Sequence, residues 1–72
     1  MLNLTKREAE IVNLLMEGKT NKEIADILYL SVHTVKSNLE KIYEKYNIHN
    51  RVLLSVFIKE QEIAIIKNRY LN

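Results

Sequence analysis

The sequence predicts an all-α fold of four helices in a single domain that covers residues 1–72. Proline is absent and glycine occurs once, which argues against loop-rich and all-β folds. Apolar residues recur at helical spacing along the whole chain, with no linker, repeat or low-complexity segment between them. The four helices are predicted at about residues 6–17, 21–29, 32–46 and 51–66.

Two capping boxes mark the starts of the first two helices. In each box a threonine side chain accepts a hydrogen bond from the amide three residues on, and the glutamate there bonds back to the threonine amide. Thr5 and Glu8 form the first box, and Thr20 and Glu23 form the second. Gly18, the only glycine, can adopt the left-handed conformation that ends helix 1.

The third and fourth helices are predicted from a serine cap and an asparagine cap. Ser31 precedes helix 3, whose apolar side chains have the spacing of one buried stripe. That stripe consists of Val35, Leu39, Ile42 and Tyr46. Asn50 precedes helix 4, and the tail at residues 62–72 is apolar enough to predict a helical extension. Tyr29 and Tyr46 are expected to pack as edges of the core.

Composition excludes several classes of protein. The formal net charge of +2 permits a nucleic-acid partner without arguing strongly for one. Cysteine is absent, and His33 and His49 lie far apart with no ligand motif, so neither a metal nor a cofactor is predicted. The capping box accounts for Glu8, and no nucleophile or glycine-rich loop lies near it. We therefore predict no enzyme and no small-molecule ligand.

The chain also lacks the features of an exported or membrane protein. Its first residues form neither a charged leader nor an apolar segment of the kind found in signal peptides. Its apolar runs are far shorter than the roughly 20 residues that span a bilayer. A cytoplasmic protein that does not enter the membrane is therefore expected, and the absence of cysteine fits a reducing compartment.

Helices 2 and 3 have the plan of a helix-turn-helix, in which a short helix and a turn precede a helix that enters the major groove of DNA. Ala25 is small where the two helices must cross closely. With the stripe turned inward, the outward side chains of helix 3 are His33, Lys36, Ser37, Glu40, Lys41 and Glu44. Such a face suits close approach to DNA, although helix-turn-helix units also occur in proteins that touch no nucleic acid.

Several motifs occur in one order along the chain. Residues 4–11 read Leu-Thr-Lys-Arg-Glu-Ala-Glu-Ile, and residues 18–25 read Gly-Lys-Thr-Asn-Lys-Glu-Ile-Ala. The start of helix 3 contributes Leu28, Leu30, Ser31, Thr34, Val35 and Lys36, and the start of helix 4 contributes Asn50 and Arg51. Over residues 4–58, in register and without gaps, these motifs resemble the LuxR-type (GerE-like) helix-turn-helix DNA-binding domain family.

The resemblance implies a domain in which helices 2 and 3 bind double-stranded DNA and helix 4 pairs two subunits. The implied base contacts are Val32, His33, Lys36, Ser37 and Glu40. The implied phosphate contacts are Thr20, Asn21, Lys22, Ser31 and Thr34, to which we add the outward Lys41. The positive N-terminal ends of helices 2 and 3 would assist these phosphate contacts.

Two positions depart from the family pattern. The family often has histidine where this chain has Asn38, and a basic or amide residue where it has Glu40. A carboxylate facing DNA repels phosphate unless it accepts a hydrogen bond from a cytosine amine. Glu40 is therefore a base reader, an ion-pair partner of Lys36 or a solvated side chain. The target sequence of a relative consequently does not transfer to this chain.

Helix 4 carries more apolar side chains than one core-facing stripe requires. The excess must meet a second subunit or be covered by the tail at residues 62–72. The family resemblance favours a homodimer. The residues expected at its interface are Val52, Leu53 and Val56, on the side of helix 4 away from Leu54 and Ile58.

The leading interpretation is a sequence-specific transcription regulator that binds two half-sites as a homodimer, with RNA polymerase as a further expected contact. One alternative is a protein-interaction module on the same scaffold, since Glu40 and Glu44 make its outer face less suited to DNA. Another is the excised output domain of a two-component response regulator. The sole aspartate, Asp26, lies on helix 2 and not in a phosphoacceptor setting.

Overall fold

The computed structural model describes residues 3–71, and the side chains of residues 3–63. Its helices are α1 (Lys6–Met16), α2 (Asn21–Leu28), α3 (Val32–Tyr46) and α4 (Arg51–Leu71). The described residues include no strand, so the predicted four-helix all-α fold is confirmed. The first two helices end one residue before the predicted ends, because Glu17 and Tyr29 serve as their C-caps. The fourth was predicted to end at residue 66, but its backbone stays helical to Leu71.

Local capping begins each helix as predicted. Thr5 Oγ1 accepts from the Glu8 amide at 3.1 Å, and Glu8 Oε1 accepts from the Thr5 amide at 2.9 Å. The second box at the start of α2 repeats both bonds, at 3.1 and 2.8 Å. Ser31 Oγ caps α3 by accepting from the Thr34 amide at 3.0 Å. Asn50 Oδ1 caps α4 by accepting from the Leu53 amide at 2.9 Å.

The first three helices are each followed by one residue in the left-handed conformation. Gly18 was predicted for this role and has φ 86°, but Tyr29 and Asn47 adopt φ values of 57° and 53° at the other two ends. In each case the amide of the next residue bonds the carbonyl five residues back, at 2.8–3.1 Å. Asparagine tolerates this conformation, whereas tyrosine is strained in it. Each turn therefore satisfies a carbonyl at a helix end that would otherwise lack a partner.

A single apolar core joins the four helices. The buried residues are Ile11, Val12 and Leu15 of α1, Ile24 and Ala25 of α2, Val35, Leu39 and Ile42 of α3, and Leu54 and Ile58 of α4. Three of the four predicted stripe residues of α3 are therefore buried. Ala25 is also buried, as expected for a small side chain where α2 packs on α3. The outer face of α3 is left toward solvent.

The two tyrosines predicted as core edges behave differently. The Tyr46 ring packs on Phe57 of α4, with ring centroids 4.9 Å apart, so this prediction is confirmed. Among the described residues, its buried hydroxyl has no hydrogen-bond partner. The prediction for Tyr29 is wrong, because that residue is 95% exposed. Tyr29 is the left-handed residue that ends α2 and lies beyond the last turn that faces the core.

A partly buried ion pair links the start of α1 to the end of α3. Glu8 is 6% exposed, and its Oε1 lies 2.6 Å from Lys45 Nζ, which also donates to the Asn3 carbonyl at 2.9 Å. The hydrogen bond from Lys45, followed by that from the Thr5 amide, lowers the pKa of Glu8 below its ordinary value of 4.5. The capping glutamate therefore also makes a tertiary contact.

This pair predicts a loss of stability in acid. A carboxyl group whose pKa is lowered on folding stabilises the fold above its unfolded pKa, here about 4.5, and loses that contribution as the pH falls through its folded pKa. The free energy of unfolding in urea should therefore fall below about pH 4.5, and Lys45→Met should make this fall shallower. Lys59→Met, which removes an exposed lysine 3.9 Å from Glu62, is the matched control. Equal pH dependence of the Lys45 variant and the unaltered chain would contradict the role of the pair.

Candidate nucleic-acid interface

The outer face of α3 carries the residues predicted to contact bases. Val32, His33, Lys36 and Glu40 are exposed there, and Ser37 is half-buried. Val35 and Leu39 lie among them in sequence but turn into the core. The structure thus brings all five predicted side chains onto one helix, on the side away from the core. Their contacts with bases remain a prediction.

Lys36 and Lys41 are the cations of this face. Among the described side chains of residues 3–63, neither lies within ion-pair distance of a carboxylate. Glu40 lies one turn from Lys36, but the two form no ion pair. Lys45, further along α3, is instead bound to Glu8. Lys36 in the first half of the outer face and Lys41 in the second half are therefore exposed cations without an ion-pair partner among the described side chains.

Hydroxyl groups line the first turn of α3. Ser31 Oγ donates to Thr34 Oγ1 at 2.9 Å while it accepts from the Thr34 amide. A hydroxyl has one donor and two acceptor sites, so the Thr34 hydroxyl keeps its own hydrogen for an outside acceptor. Asn38, one turn on, donates from its side-chain amide to the Thr34 carbonyl at 2.8 Å. Asn38 therefore uses one of its two donor hydrogens within α3.

The predicted phosphate contacts of α2 cluster at its N-terminus. The Thr20 hydroxyl is used in the capping box, and Lys22 is exposed, 3.6 Å from the Asp26 carboxylate. An ion pair this exposed is worth little and leaves the lysine free to exchange partners. Asn21 is half-buried, and its Oδ1 accepts from Arg51 Nη1 at 3.0 Å. A shallow depression there is lined by Gly18, Lys19, Thr20, Asn21, Lys22 and Arg51.

Arg51 is a site residue that the sequence analysis missed. It was noted only as part of a family motif at the start of helix 4, whereas the structure places its guanidinium against the start of α2. Besides Asn21, it donates from Nη2 to the Lys19 carbonyl. No local pattern could have shown this contact, because 30 residues separate Arg51 from Asn21.

The residues predicted at a dimer interface lie on the surface of α4. Val52 is 70% exposed, and Leu53 and Val56 are each 49% exposed, whereas Leu54 and Ile58 are buried. The alternative that the tail folds back to cover this surface is wrong, because α4 continues as one helix to Leu71. The apolar side chains at Ile65 and Ile66 lie outside the described side chains.

In the part of the chain that the structure describes, no group of three histidine, cysteine, aspartate or glutamate side chains is placed to hold a metal ion. None of the described helices combines the length and the apolar character needed to cross a membrane.

The fold and this surface define a helix-turn-helix domain of the class that binds DNA. The family described as "Bacterial regulatory proteins, luxR family" matches residues 2–58. The chain belongs to this family, which confirms the resemblance that its motifs indicated. Family membership supports DNA-binding transcription regulation.

Several curated proteins are similar to the chain. The transcriptional regulatory protein LiaR of Bacillus subtilis is 44% identical over 62 residues, which cover 86% of this chain and 29% of LiaR. The probable transcriptional regulator ycf29 of Porphyra purpurea is 42% identical over 72 residues, covering 100% of this chain and 31% of ycf29. The nitrate/nitrite response regulator protein NarP of Escherichia coli is 34% identical over 61 residues, covering 85% of this chain and 28% of NarP. The chain thus spans less than a third of the length of these relatives.

Proposed function

We propose that this chain regulates transcription by binding specific sites in double-stranded DNA, with α3 in the major groove and two copies on two half-sites. The observation that carries the proposal is the outer face of α3, where exposed Lys36 and Lys41 have no ion-pair partner among the described side chains. The names of the relatives, among them transcriptional and response regulators, support the same function.

The chemistry of the proposed base contacts follows from the groove. A major groove about 12 Å wide admits one α-helix, and lysine donates there to the acceptor atoms of guanine. Val32, 38% exposed at the start of α3, can contact the methyl group of thymine. Ser37 can bond either type of base edge, and Glu40 can accept from the amine of cytosine. His33 stands beside Val32 in the same first turn.

Phosphate contacts would hold α3 in register along the groove. Thr34 keeps a hydroxyl hydrogen for a phosphate oxygen, and Lys22 and Lys41 supply positive charge on the two helices. The N-terminal ends of α2 and α3 add their unpaired amides and partial positive charge. Such contacts supply affinity without reading sequence, whereas the outer face of α3 would supply specificity.

Selection of bound sites from random duplexes, followed by salt titration on the selected duplex, tests this function. We expect one enriched motif with two related half-sites, and a logarithm of the binding constant that falls linearly with that of salt. No binding to any duplex at low salt would overturn the proposal. That outcome would favour the alternative of a protein-interaction module, whose supporting observation is that Glu40 and Glu44 are exposed on α3.

The response-regulator alternative concerns the setting of the domain more than its chemistry. NarP is described as a response regulator, and this chain covers 28% of it. In such a setting the signal would act on DNA binding from another part of the protein. RNA polymerase remains a proposed partner, and the cytoplasm is the proposed compartment.

Replacement of Glu40 by glutamine should alter sequence choice more than overall affinity. If the carboxylate accepts from a cytosine, the variant should lose preference at one base position, at a cost of about 1–3 kcal/mol for that base pair. If the carboxylate only repels phosphate, affinity should rise on all duplexes alike. Glu44→Gln, the same change one turn further along the exposed face, is the control. A site selection that returns unchanged specificity and affinity would show that Glu40 faces solvent.

Substitution of Val56 by aspartate should abolish cooperative binding to an operator with two half-sites. A charge on this half-exposed face of α4 would oppose the burial of apolar surface between two copies. Dimer patches this small associate weakly alone and strongly when DNA holds both subunits, with half-sites about 34–36 Å apart. Binding to a single half-site, measured on the same variant, should stay nearly unchanged. One monomer per operator in sedimentation of the unaltered chain would contradict the dimer.

A further inference from the structure

Arg51 forms a clamp between the start of α4 and the start of α2. Its Nη1 donates to Asn21 Oδ1 at 3.0 Å, and its Nη2 donates to the carbonyl of Lys19. Both Arg51 and Asn21 are half-buried. Within the described side chains, Arg51 has no carboxylate at ion-pair distance. The guanidinium therefore donates its hydrogen bonds to two neutral oxygen atoms at the edge of the proposed DNA-binding surface.

The clamp determines which way the Asn21 amide points. An asparagine side chain has one acceptor, its oxygen, and an NH₂ group with two donor hydrogens. Guanidinium has donors only, so the oxygen of Asn21 must face Arg51 and the NH₂ must face elsewhere. No hydrogen bond from that NH₂ to a described residue is formed. Asn21 thus has two donor hydrogens without an acceptor among the described residues, and they lie beside exposed Lys22 and the capped start of α2.

We infer that Arg51 is a positioning residue for DNA binding, which holds the Asn21 amide so that its NH₂ can donate to a DNA phosphate. This inference rests on the proposed function and adds a residue from outside the helix-turn-helix to it. Without Arg51, the amide of Asn21 could rotate by half a turn and present its oxygen to the phosphate. The side-chain oxygen of Asn21 would then face a phosphate oxygen. Because both atoms are acceptors, the hydrogen bond would be lost.

Affinity for the selected duplex, measured on single and double variants, tests the clamp. Arg51→Met keeps an unbranched stem of similar bulk and removes the donors, and Asn21→Ala removes the amide. We expect each to weaken binding by about three- to tenfold, the net worth of one ordinary hydrogen bond. The double variant should bind no more weakly than either single variant, because both changes remove the same contact. Arg7→Met, which removes an equally charged but 44% exposed side chain of α1 paired with Glu10, is the control and should bind like the unaltered chain.

Salt dependence separates positioning from direct contact with phosphate. A positioning role leaves the slope of the salt titration unchanged in Arg51→Met, whereas loss of a direct phosphate contact would lower the slope by about one. Thermal unfolding, recorded for each variant, identifies any loss of fold. Asn21→Ala leaves the Arg51 bond to Lys19 in place and provides the test if Arg51→Met does not fold.

Three results would overturn the inference: losses that multiply in the double variant, a slope lowered by about one, or unchanged binding of Asn21→Ala. Each of these can occur while the unaltered chain binds its selected duplex, so the proposed function would survive. Failure of the unaltered chain to bind any duplex would overturn both the proposed function and the inference about Arg51.

Discussion

Replacement of Leu54 by alanine is expected to lower the free energy of unfolding by about 3 kcal/mol, within the range of 2–5 kcal/mol for buried leucines. Leu54 is fully buried, and among the described side chains of α4 it and Ile58 are the two buried apolar residues that join the core. The lost methyl groups would leave a cavity between α4 and the other helices. A domain of this size has a total stability on the order of 5 kcal/mol, so the variant should keep only about 2 kcal/mol and unfold at a clearly lower temperature and urea concentration than the unaltered chain.

The matched control for Leu54→Ala is Val52→Ala, two residues earlier on the same helix. Val52 is 70% exposed, so its truncation should change the free energy of unfolding by less than about 0.5 kcal/mol. Both variants should be compared by urea unfolding at low protein concentration, because a dimer would stabilise the fold by mass action. If the two variants lose equal stability, α4 is not anchored through Leu54.

Replacement of Lys36 by alanine should weaken DNA binding by about 1–3 kcal/mol while helical content and thermal midpoint stay unchanged. The side chain is exposed in the first half of α3, without an ion-pair partner among the described residues, and the core is on the opposite face. Nothing in the fold depends on this side chain, so a loss of affinity can be assigned to the DNA contact itself.

Lys59→Ala is the matched control for the loss of positive charge. Lys59 is exposed on α4, 3.9 Å from Glu62, and lies outside the proposed reading surface. Fluorescence anisotropy on the selected duplex and on an unrelated duplex would separate base contact from phosphate contact, since only base contact changes the ratio of the two affinities. Equal affinity of Lys36→Ala and the unaltered chain on both duplexes would remove Lys36 from the site.

The helices themselves could be predicted from sequence because their signals are local. Each capping bond joins residues three apart, as between Thr5 and Glu8, and the buried stripe of α3 repeats within one helix. The left-handed conformation of Gly18 after α1 could be predicted because glycine adopts a positive φ without steric cost. Once the buried stripe of α3 is known, the remaining side chains of that helix must form its outward face. The sequence by itself therefore determined the four helices, most of the buried stripe of α3 and the position of its outer face.

The tertiary structure decided the features that depend on residues distant in sequence. The ion pair of Glu8 with Lys45 spans 37 residues, and the bond of Arg51 to Asn21 spans 30. No periodicity or cap signals such pairs, because they form only when packing of the core brings two helix ends together. The tertiary structure also decided that Tyr29 is exposed. Its aromatic ring suggested a core position, but satisfying the carbonyls at the end of α2 required a left-handed residue, and this turned the ring into solvent.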